Sequence, residues 1–342
     1  MRIALVGTEL ACVGALTGGL EKLVRGWGRR LSYTDEVLLV DCAPLGHLHH
    51  DSPDLNIVSL HGFRSLPEVE RIFAVDVTVL NNRPQVTSSS PLRVDLFHNF
   101  SNAWNSTQRE LSELGKSRSE RRFAAVSHAL SRHVSEVFGI PATDVSVVSP
   151  FVDEIFFSQD SPGGSSVLFA GRLMKKKGVE LALAACVKAG VERDAHFIDT
   201  TTEYLKDSAE YRRLRDKITA SRAALLPEAL SPAEMAEHYK SAGVVLTIAT
   251  EPEGLGLVPL EAQAMNRPVL TVGSGGLEEA TLPPNIHLQR ASTNEIANEL
   301  LRAISDSTAR NTREKVRARF QLDVSTQALR SLWTDNSHGS AS

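Results

Sequence analysis

The chain has 342 residues and a net charge of −4, from 37 Lys and Arg against 41 Asp and Glu. Its length is enough for two domains of ordinary size. The acidic balance disfavours a nucleic-acid partner, which would require a basic face. The cysteines are odd in number, scattered and without a C-x-x-C pair, which indicates a reducing compartment and disfavours a thiolate metal site. They are Cys12, Cys42 and Cys186.

The first twenty residues are mostly apolar and loosely resemble a signal peptide. Thr8 and Glu9 interrupt the apolar run, and residues 3–6 are better explained as a first β-strand. No stretch reaches the ~18 apolar residues of a transmembrane helix. We therefore expect a cytoplasmic protein.

The first half of the chain alternates between strand-like and helix-like segments. Residues 19–31 have helical spacing of apolar positions, and short apolar runs lie before and after them. Alternation of this kind predicts a parallel, doubly wound α/β sheet, which binds ligands at the carboxyl ends of its strands. The predicted strands are 2–7, 36–40, 56–60, 76–80, 94–97 and 124–126.

Two features of this half are candidates for function. Gly18 and Gly19 form a flexible turn before the first helix, but the pattern is not G-x-G-x-x-G, so a dinucleotide fingerprint is absent. His98 directly follows the strand 94–97 and therefore lies at a carboxyl end. The alternative for His98 is a strand-end histidine that bonds to the backbone.

A third feature, the cluster His47, His49 and His50, has spacing that suggests a metal site. It lies in a loop rich in Gly, Pro and Asp with no obvious fourth ligand. We therefore interpret it as a solvated loop and predict no metal site.

The second half begins after a polar stretch rich in Pro and Gly, residues 158–166, which is the best linker in the sequence. A strand at 167–170 leads into G-R-L-M-K-K-K-G at 171–178, and an apolar helix follows. Arg172 and Lys177 place cations at a strand end, where Arg supplies a planar fork and Lys a compact charge. This pattern suits a diphosphate.

The stretch E-G-L-G-L-V-P-L-E-A-Q-A at 253–264 lies between two apolar strands, 244–248 and 268–272. Helical spacing runs from 257 to 265, with Pro259 tolerable in the first turn. Glycines before the helix would leave its N–H groups open to an anion. Glu253 and Glu261 would flank this anion site, and its backbone would be supplied by Gly254, Leu255, Gly256 and Leu257.

Two glutamates separated by seven residues within this motif resemble the donor-site signature of retaining glycosyltransferases with the GT-B fold, and most closely glycosyltransferase family 4. The resemblance implies that Glu261 binds the nucleotide ribose and that Glu253 lies near the donor sugar. It also implies that the amides between them meet sugar hydroxyls and phosphate.

Other segments are similar to motifs of the same family. The turn at 171–178 matches G-R-x-x-x-x-K-G, which assigns Arg172 and Lys177 to the donor diphosphate. The Gly18-Gly19 turn resembles a loop that approaches the donor phosphate. His98 resembles a histidine that faces the donor sugar near the reaction centre.

The resemblance implies two Rossmann-like parallel-sheet domains that face a central cleft. We predict an acceptor-side domain at 1–158, a nucleotide-sugar domain at 159–322, and at 323–342 a terminal helix that crosses back, followed by a frayed tail. The family usually has Asn-Gly-Val-Asp where this chain has P-F-V-D at 150–153, so a hinge role is not carried over to that segment.

The expected activity is retaining transfer of a sugar from a nucleotide diphosphate sugar to an acceptor hydroxyl, in cell-envelope glycan or antibiotic-type metabolite biosynthesis. The catalytic residues would be His98, Glu253, Arg172 and Lys177. No cofactor or metal is expected, because no two aspartates are spaced i, i+2 as in the Asp-x-Asp motif of metal-using transferases.

The acceptor would be a small molecule, a glycan or a lipid-linked compound. A lipid acceptor with weak peripheral membrane contact would depend on Lys22, Arg25, Arg29 and Arg30, which are otherwise a solvated helix face. Two alternatives remain open for the activity. One is a nucleotide-sugar epimerase or phosphorylase of the same fold, and the other is a catalytically silent nucleotide-sugar-binding protein.

Overall fold

The computed structural model describes residues 1–7, 19–42, 55–60, 62–100, 120–157, 163–201, 203–226, 230–305 and 311–334. It divides into two compact units. Unit 1 comprises Met1–Phe151 with Leu322–Ser342, and unit 2 comprises Val152–Gln321. Each unit is an α/β layer structure built on one parallel sheet.

Unit 1 has a seven-stranded sheet in the order β3-β2-β1-β4-β5-β6-β7, and every pairing is parallel. Residues 3–6 and 37–40 are each runs of four buried apolar residues, as is typical of parallel sheets that are covered on both faces. The strands are β1 Arg2–Val6, β2 Glu36–Asp41, β3 Asn56–Ser59, β4 Val77–Asn81, β5 Leu92–Phe97, β6 Arg121–Ala125 and β7 Val145–Val147.

The described helices of unit 1 are α1 Gly19–Leu31, α2 Leu66–Ile72, α3 His128–Phe138 and α12 Leu322–Thr334. Helix α3 shows how local sequence sets its ends. The Ser127 hydroxyl accepts from the Leu130 amide at the N-cap, and Gly139 ends the helix in the left-handed region with φ 62°.

Unit 2 has a six-stranded parallel sheet in the order β10-β9-β8-β11-β12-β13. Its strands are β8 Ser166–Gly171, β9 Ala195–Asp199, β10 Ala224–Leu226, β11 Ala242–Ile248, β12 Val269–Val272 and β13 Ile286–Leu288. Its described helices are α4 Val179–Ala189, α5 Glu203–Lys206, α6 Ala209–Thr219, α7 Pro232–Ser241, α8 Leu257–Ala264, α9 Leu277–Ala280, α10 Thr293–Ser305 and α11 Arg313–Phe320.

The boundary between the units lies at 151/152, whereas the sequence analysis placed it at 158/159. The Val152 amide donates to the Phe320 carbonyl over 2.7 Å, and Arg317 pairs with Glu154 over 2.9 Å. The Phe156 ring packs on Tyr239 with 5.7 Å between centroids. These contacts fasten residues 152–157 to unit 2. Residues 158–162 of the expected linker lie outside the described residues.

The chain returns to unit 1 through α12, which packs on α1. The indole Nε1 of the fully buried Trp27 donates to Ser325 Oγ over 2.9 Å, and that hydroxyl donates to the Ser149 carbonyl over 2.5 Å. One hydroxyl thus satisfies two buried groups from distant parts of the sequence. Among the described helices, none is long and apolar enough to cross a bilayer.

Ser325→Ala should destabilise unit 1 by about 1–3 kcal/mol, because it leaves the buried Trp27 N–H without its acceptor. Urea unfolding followed by tryptophan fluorescence measures this change. Ser331→Ala is the control, since the Ser331 hydroxyl donates only to Ala328 of its own helix at 2.8 Å. Equal midpoints for the two variants would contradict the expectation.

Candidate functional site

Three loops meet at the carboxyl edge of the unit 2 sheet, because β8, β11 and β12 are parallel neighbours. Leu246 pairs in register with Phe169 on one side and Leu270 on the other. The loops after these strands therefore begin side by side, although they are far apart in sequence. This edge is where ligands bind in open α/β sheets.

The basic turn after β8 is held by the chain that leaves β11. The Thr250 amide donates to the Lys176 carbonyl over 2.9 Å, and its hydroxyl donates to the Lys175 carbonyl over 3.2 Å. Gly178 ends the turn at φ 65°, and a Cβ there would lie 2.3 Å from Ile248 Cγ2. Glycine is required at that position by both conformation and space.

A series of buried hydrogen bonds also supports this basic turn. The Leu173 amide donates to Thr201 Oγ1 over 2.8 Å, and the Thr201 amide donates to Asp199 Oδ1 over 2.8 Å. The Tyr211 hydroxyl donates to the other carboxylate oxygen of Asp199 over 2.9 Å. The sequence motifs did not indicate this group. Its one sequence signal is Asp199 itself, which directly follows the strand-like segment 195–198.

The structure brings Lys177 and Glu253 together. Lys177 Nζ donates to Glu253 Oε2, and the two side chains are 29% and 24% exposed. Arg172 is half-buried in the same turn and makes no side-chain hydrogen bond or ion pair with the described residues. The edge therefore presents two cations and one carboxylate within a single group of loops.

The Glu253 turn is braced by the glycine-rich loop after β12. The Glu253 amide donates to Ser274 O over 3.0 Å, and the Gly276 amide donates to Glu253 O over 2.7 Å. A Cβ on Gly276 would lie 2.1 Å from the Gly254 carbonyl oxygen. The glycine-rich loop therefore supports the Glu253 turn.

Helix α8 begins directly after that turn. Gly256 is its N-cap at φ 96° and offers no side-chain cap, and Pro259 falls in the first turn as expected. The Leu257 and Val258 amides consequently have no capping side chain, and the helix dipole adds positive potential there. An anion is favoured at this helix end.

Glu261 lies one turn into α8 and is held by Tyr239 of α7. The phenol hydroxyl donates to Glu261 Oε2 over 2.8 Å. Tyr239 is fully buried, and burial together with the Glu261 carboxylate raises the pKa of the phenol well above its ordinary value. The phenol therefore stays protonated and acts as a hydrogen-bond donor.

His98 of unit 1 lies at the end of β5, as predicted. Its Nε2 is 2.9 Å from Asn81 Oδ1, and Asn81 Nδ2 donates to the Val6 carbonyl over 2.9 Å. Because a carbonyl can only accept, the Asn81 amide orientation is determined, and His98 Nε2 must carry the hydrogen. Burial lowers the pKa of His98 to about 3, so its ring is neutral and Nδ1 carries a lone pair.

Several predicted features fall elsewhere. Gly19 begins α1, whereas Gly18 and the histidines at 47, 49 and 50 lie outside the described residues. Arg30, one of the four cations proposed for membrane contact, forms an ion pair with Asp323. In the described ranges, no group of three or more His, Cys, Asp or Glu is placed to hold a metal ion.

Residues 151–320 match the family model described as "Glycosyl transferases group 1". This match covers unit 2, Val152–Gln321, almost from end to end. A D-inositol 3-phosphate glycosyltransferase of Segniliparus rotundus is 27% identical over 179 residues, which are 46% of this chain and 38% of that protein. The matched part thus spans about two fifths of the length of the curated relatives.

Solved structures resemble the whole chain. A glycosyltransferase from Rickettsia africae aligns with a TM-score of 0.78 at 15% identity, covering 99% of both chains. HepE of Anabaena, crystallised with UDP and glucose, aligns with a TM-score of 0.75 at 17% identity, covering 97% of this chain and 98% of that one. These likenesses, with the two parallel sheets, confirm the predicted GT-B fold class.

Unit 2 thus gathers most of the predicted residues on one sheet edge. Arg172 and Lys177 enter from the loop after β8, and Glu253 follows β11. Glu261 follows on α8, which begins with amides that have no capping side chain. A basic turn, a helix N-terminus and two carboxylates together can hold a phosphorylated, hydroxyl-rich ligand.

We expect His98 to remain neutral down to about pH 3. Below pH 6.5, this histidine takes up a proton in the unfolded chain, whereas in the folded chain it stays neutral to about pH 3. His98 therefore reduces the free energy of unfolding as the pH falls below 6.5. Between pH 7 and pH 5, the free energy of unfolding should fall less for His98→Asn than for the wild type. Urea unfolding at each pH measures this difference. Parallel losses would contradict the neutral ring.

Proposed function

We propose that the chain is a retaining glycosyltransferase that moves a sugar from a nucleotide diphosphate sugar to an acceptor hydroxyl without a metal ion. The observation that carries this proposal is the Lys177–Glu253 pair beside the N-terminus of α8. It sets a cation, a carboxylate and helix amides around one edge of a glycosyl transferases group 1 domain.

For the donor, we propose that Arg172, Lys177 and the α8 amides bind the diphosphate. Charge-assisted hydrogen bonds from the side chains and a helix N-terminus both favour phosphate oxygens. Glu261 would accept hydrogen bonds from the ribose hydroxyls, and Glu253 from those of the sugar. HepE, of similar fold, was crystallised with UDP-glucose, which supports a donor of this class.

For the acceptor, we propose a hydroxyl of a small molecule, a glycan or a lipid-linked compound in cell-envelope or specialised-metabolite biosynthesis. The curated relatives are glycosyltransferases named for D-inositol 3-phosphate, a small molecule with several hydroxyls, which supports an acceptor of this general kind. We infer a cytoplasmic reaction from the odd, scattered cysteines.

In the proposed reaction, the bond between the anomeric carbon and the β-phosphate oxygen breaks as the acceptor oxygen bonds to the same face. The acceptor proton passes to a phosphate oxygen of the leaving diphosphate. Arg172, Lys177 and the helix amides stabilise the charge that develops there, because they are fixed before the reaction begins. His98 would accept a hydrogen bond from a substrate hydroxyl through Nδ1.

The proposed function is tested by incubating the protein in EDTA with nucleotide sugars and pooled acceptors, followed by mass spectrometry. An acceptor whose mass rises by one sugar residue supports transfer without a metal. Donor binding without a product would indicate a silent binding protein. Transfer only after added metal would overturn the metal-independent mechanism.

Arg172→Ala and Lys177→Ala should each lower the transfer rate by at least ~10²-fold, because each removes a charge that stabilises the leaving diphosphate. Initial rates at saturating donor measure the effect. Lys176→Ala is the matched control, since Lys176 is exposed and contacts the site loops only through its backbone carbonyl. Wild-type rates in both site variants would mean that the donor site is misplaced.

The product should keep the anomeric configuration of the donor. An inverting enzyme would need a general base for backside attack. We propose attack on the same face, with Glu253 orienting the sugar, so Glu253→Gln should slow transfer without trapping a glycosyl-enzyme. The coupling constant of the anomeric proton in the purified product decides the outcome. A β-linked product from an α-linked donor would refute this mechanism.

A further inference from the structure

We propose that Tyr239 is a positioning residue that holds Glu261 in the orientation needed to bind a nucleotide ribose. This inference rests on the proposed function, since it assigns a partner to the proposed ribose-binding carboxylate. The phenol would act through Glu261 and would not itself touch the nucleotide.

The geometry gives Tyr239 one defined position. Tyr239 belongs to α7, and its ring is fully buried. The ring packs edge-on against Phe156, with 5.7 Å between centroids and 70° between ring planes. A tyrosine has only two side-chain torsions, so burial of the ring determines where the hydroxyl points. That hydroxyl donates to Glu261 Oε2 over 2.8 Å.

The acceptor of the Tyr239 hydroxyl is the observation that points to a role in ligand binding. A buried tyrosine hydroxyl usually finds an acceptor, and a backbone carbonyl would serve that purpose. Here the acceptor is a half-buried carboxylate on the helix whose N-terminus forms the anion site. Buried aromatic packing is thus used to orient a charged group at the ligand-binding edge.

Orientation matters because a ribose offers two neighbouring hydroxyls in a fixed relation. A carboxylate that rotates freely must lose rotamer entropy before it can accept from both. Glu261 has already lost that freedom when one oxygen is held by a rigid donor. The phenol remains a donor at neutral pH, because burial and the Glu261 charge raise its pKa.

The test is the binding of UDP, GDP, ADP and CDP, and separately of inorganic diphosphate, to the intact chain by calorimetry. Tyr239→Phe removes only the hydroxyl and keeps the ring. It should weaken the tightest-binding nucleoside diphosphate about tenfold, the effect of one hydrogen bond to a charged group. Its affinity for inorganic diphosphate should not change, since the cations are untouched.

Ser166→Ala is the matched control. It removes one largely buried hydroxyl, which donates to the Ser241 carbonyl over 2.9 Å at the start of β8, the other end of the strand from the site. It should leave both affinities at the wild-type value. Thermal melts of both variants report whether the fold is retained.

Glu261→Ala completes a double-mutant cycle. If Tyr239 acts through Glu261, Tyr239→Phe should have no further effect once Glu261 is alanine. Additive losses, an equal loss of inorganic diphosphate binding, or an unchanged nucleoside diphosphate affinity in Tyr239→Phe would each overturn the positioning role.

Failure of the proposed function would look different. If Glu261→Ala itself binds nucleoside diphosphate as the wild type does, the ribose assignment is wrong whatever Tyr239 does. If none of the four nucleotides binds to the wild-type chain, the nucleotide-sugar function is overturned.

Discussion

The ion pair between Lys177 and Glu253 joins two loops that leave different strands of the unit 2 sheet. Both side chains are partly exposed, so the pair contributes little to stability. Its importance is geometric, because it sets a cation and a carboxylate next to the N-terminus of α8. The group forms only when β8 and β11 pair in parallel, with Leu246 opposite Phe169.

The groups proposed to meet the ligand are supported by residues that would not touch it. Thr201 and Asp199 hold the basic turn, and the Gly276 loop braces the Glu253 turn. Tyr239 holds Glu261. Each support is a buried or half-buried hydrogen bond or a close backbone approach. The ligand-facing groups therefore have defined positions before a ligand arrives, which lowers the entropic cost of binding.

Most of the fold and the candidate site could be predicted from the sequence. Apolar runs between helical segments indicated parallel sheets, and Gly256 with Pro259 indicated where α8 begins. The charged residues in the loops after β8 and β11 indicated a phosphate-binding edge. These features are local, because a strand, a helix cap and a glycine turn depend on neighbouring residues. Glu253 and Glu261 could be predicted for the same reason, since both lie in one short motif.

Contacts between distant residues were decided only by the tertiary structure. The sequence could not show that Lys177 pairs with Glu253, that Tyr239 donates to Glu261, or that Asn81 determines which His98 nitrogen carries the hydrogen. It also could not place the boundary at Phe151, because the Val152 amide bonds to Phe320. The physical reason is that such partners are chosen by strand order and packing, which bring together residues that no sequence spacing connects.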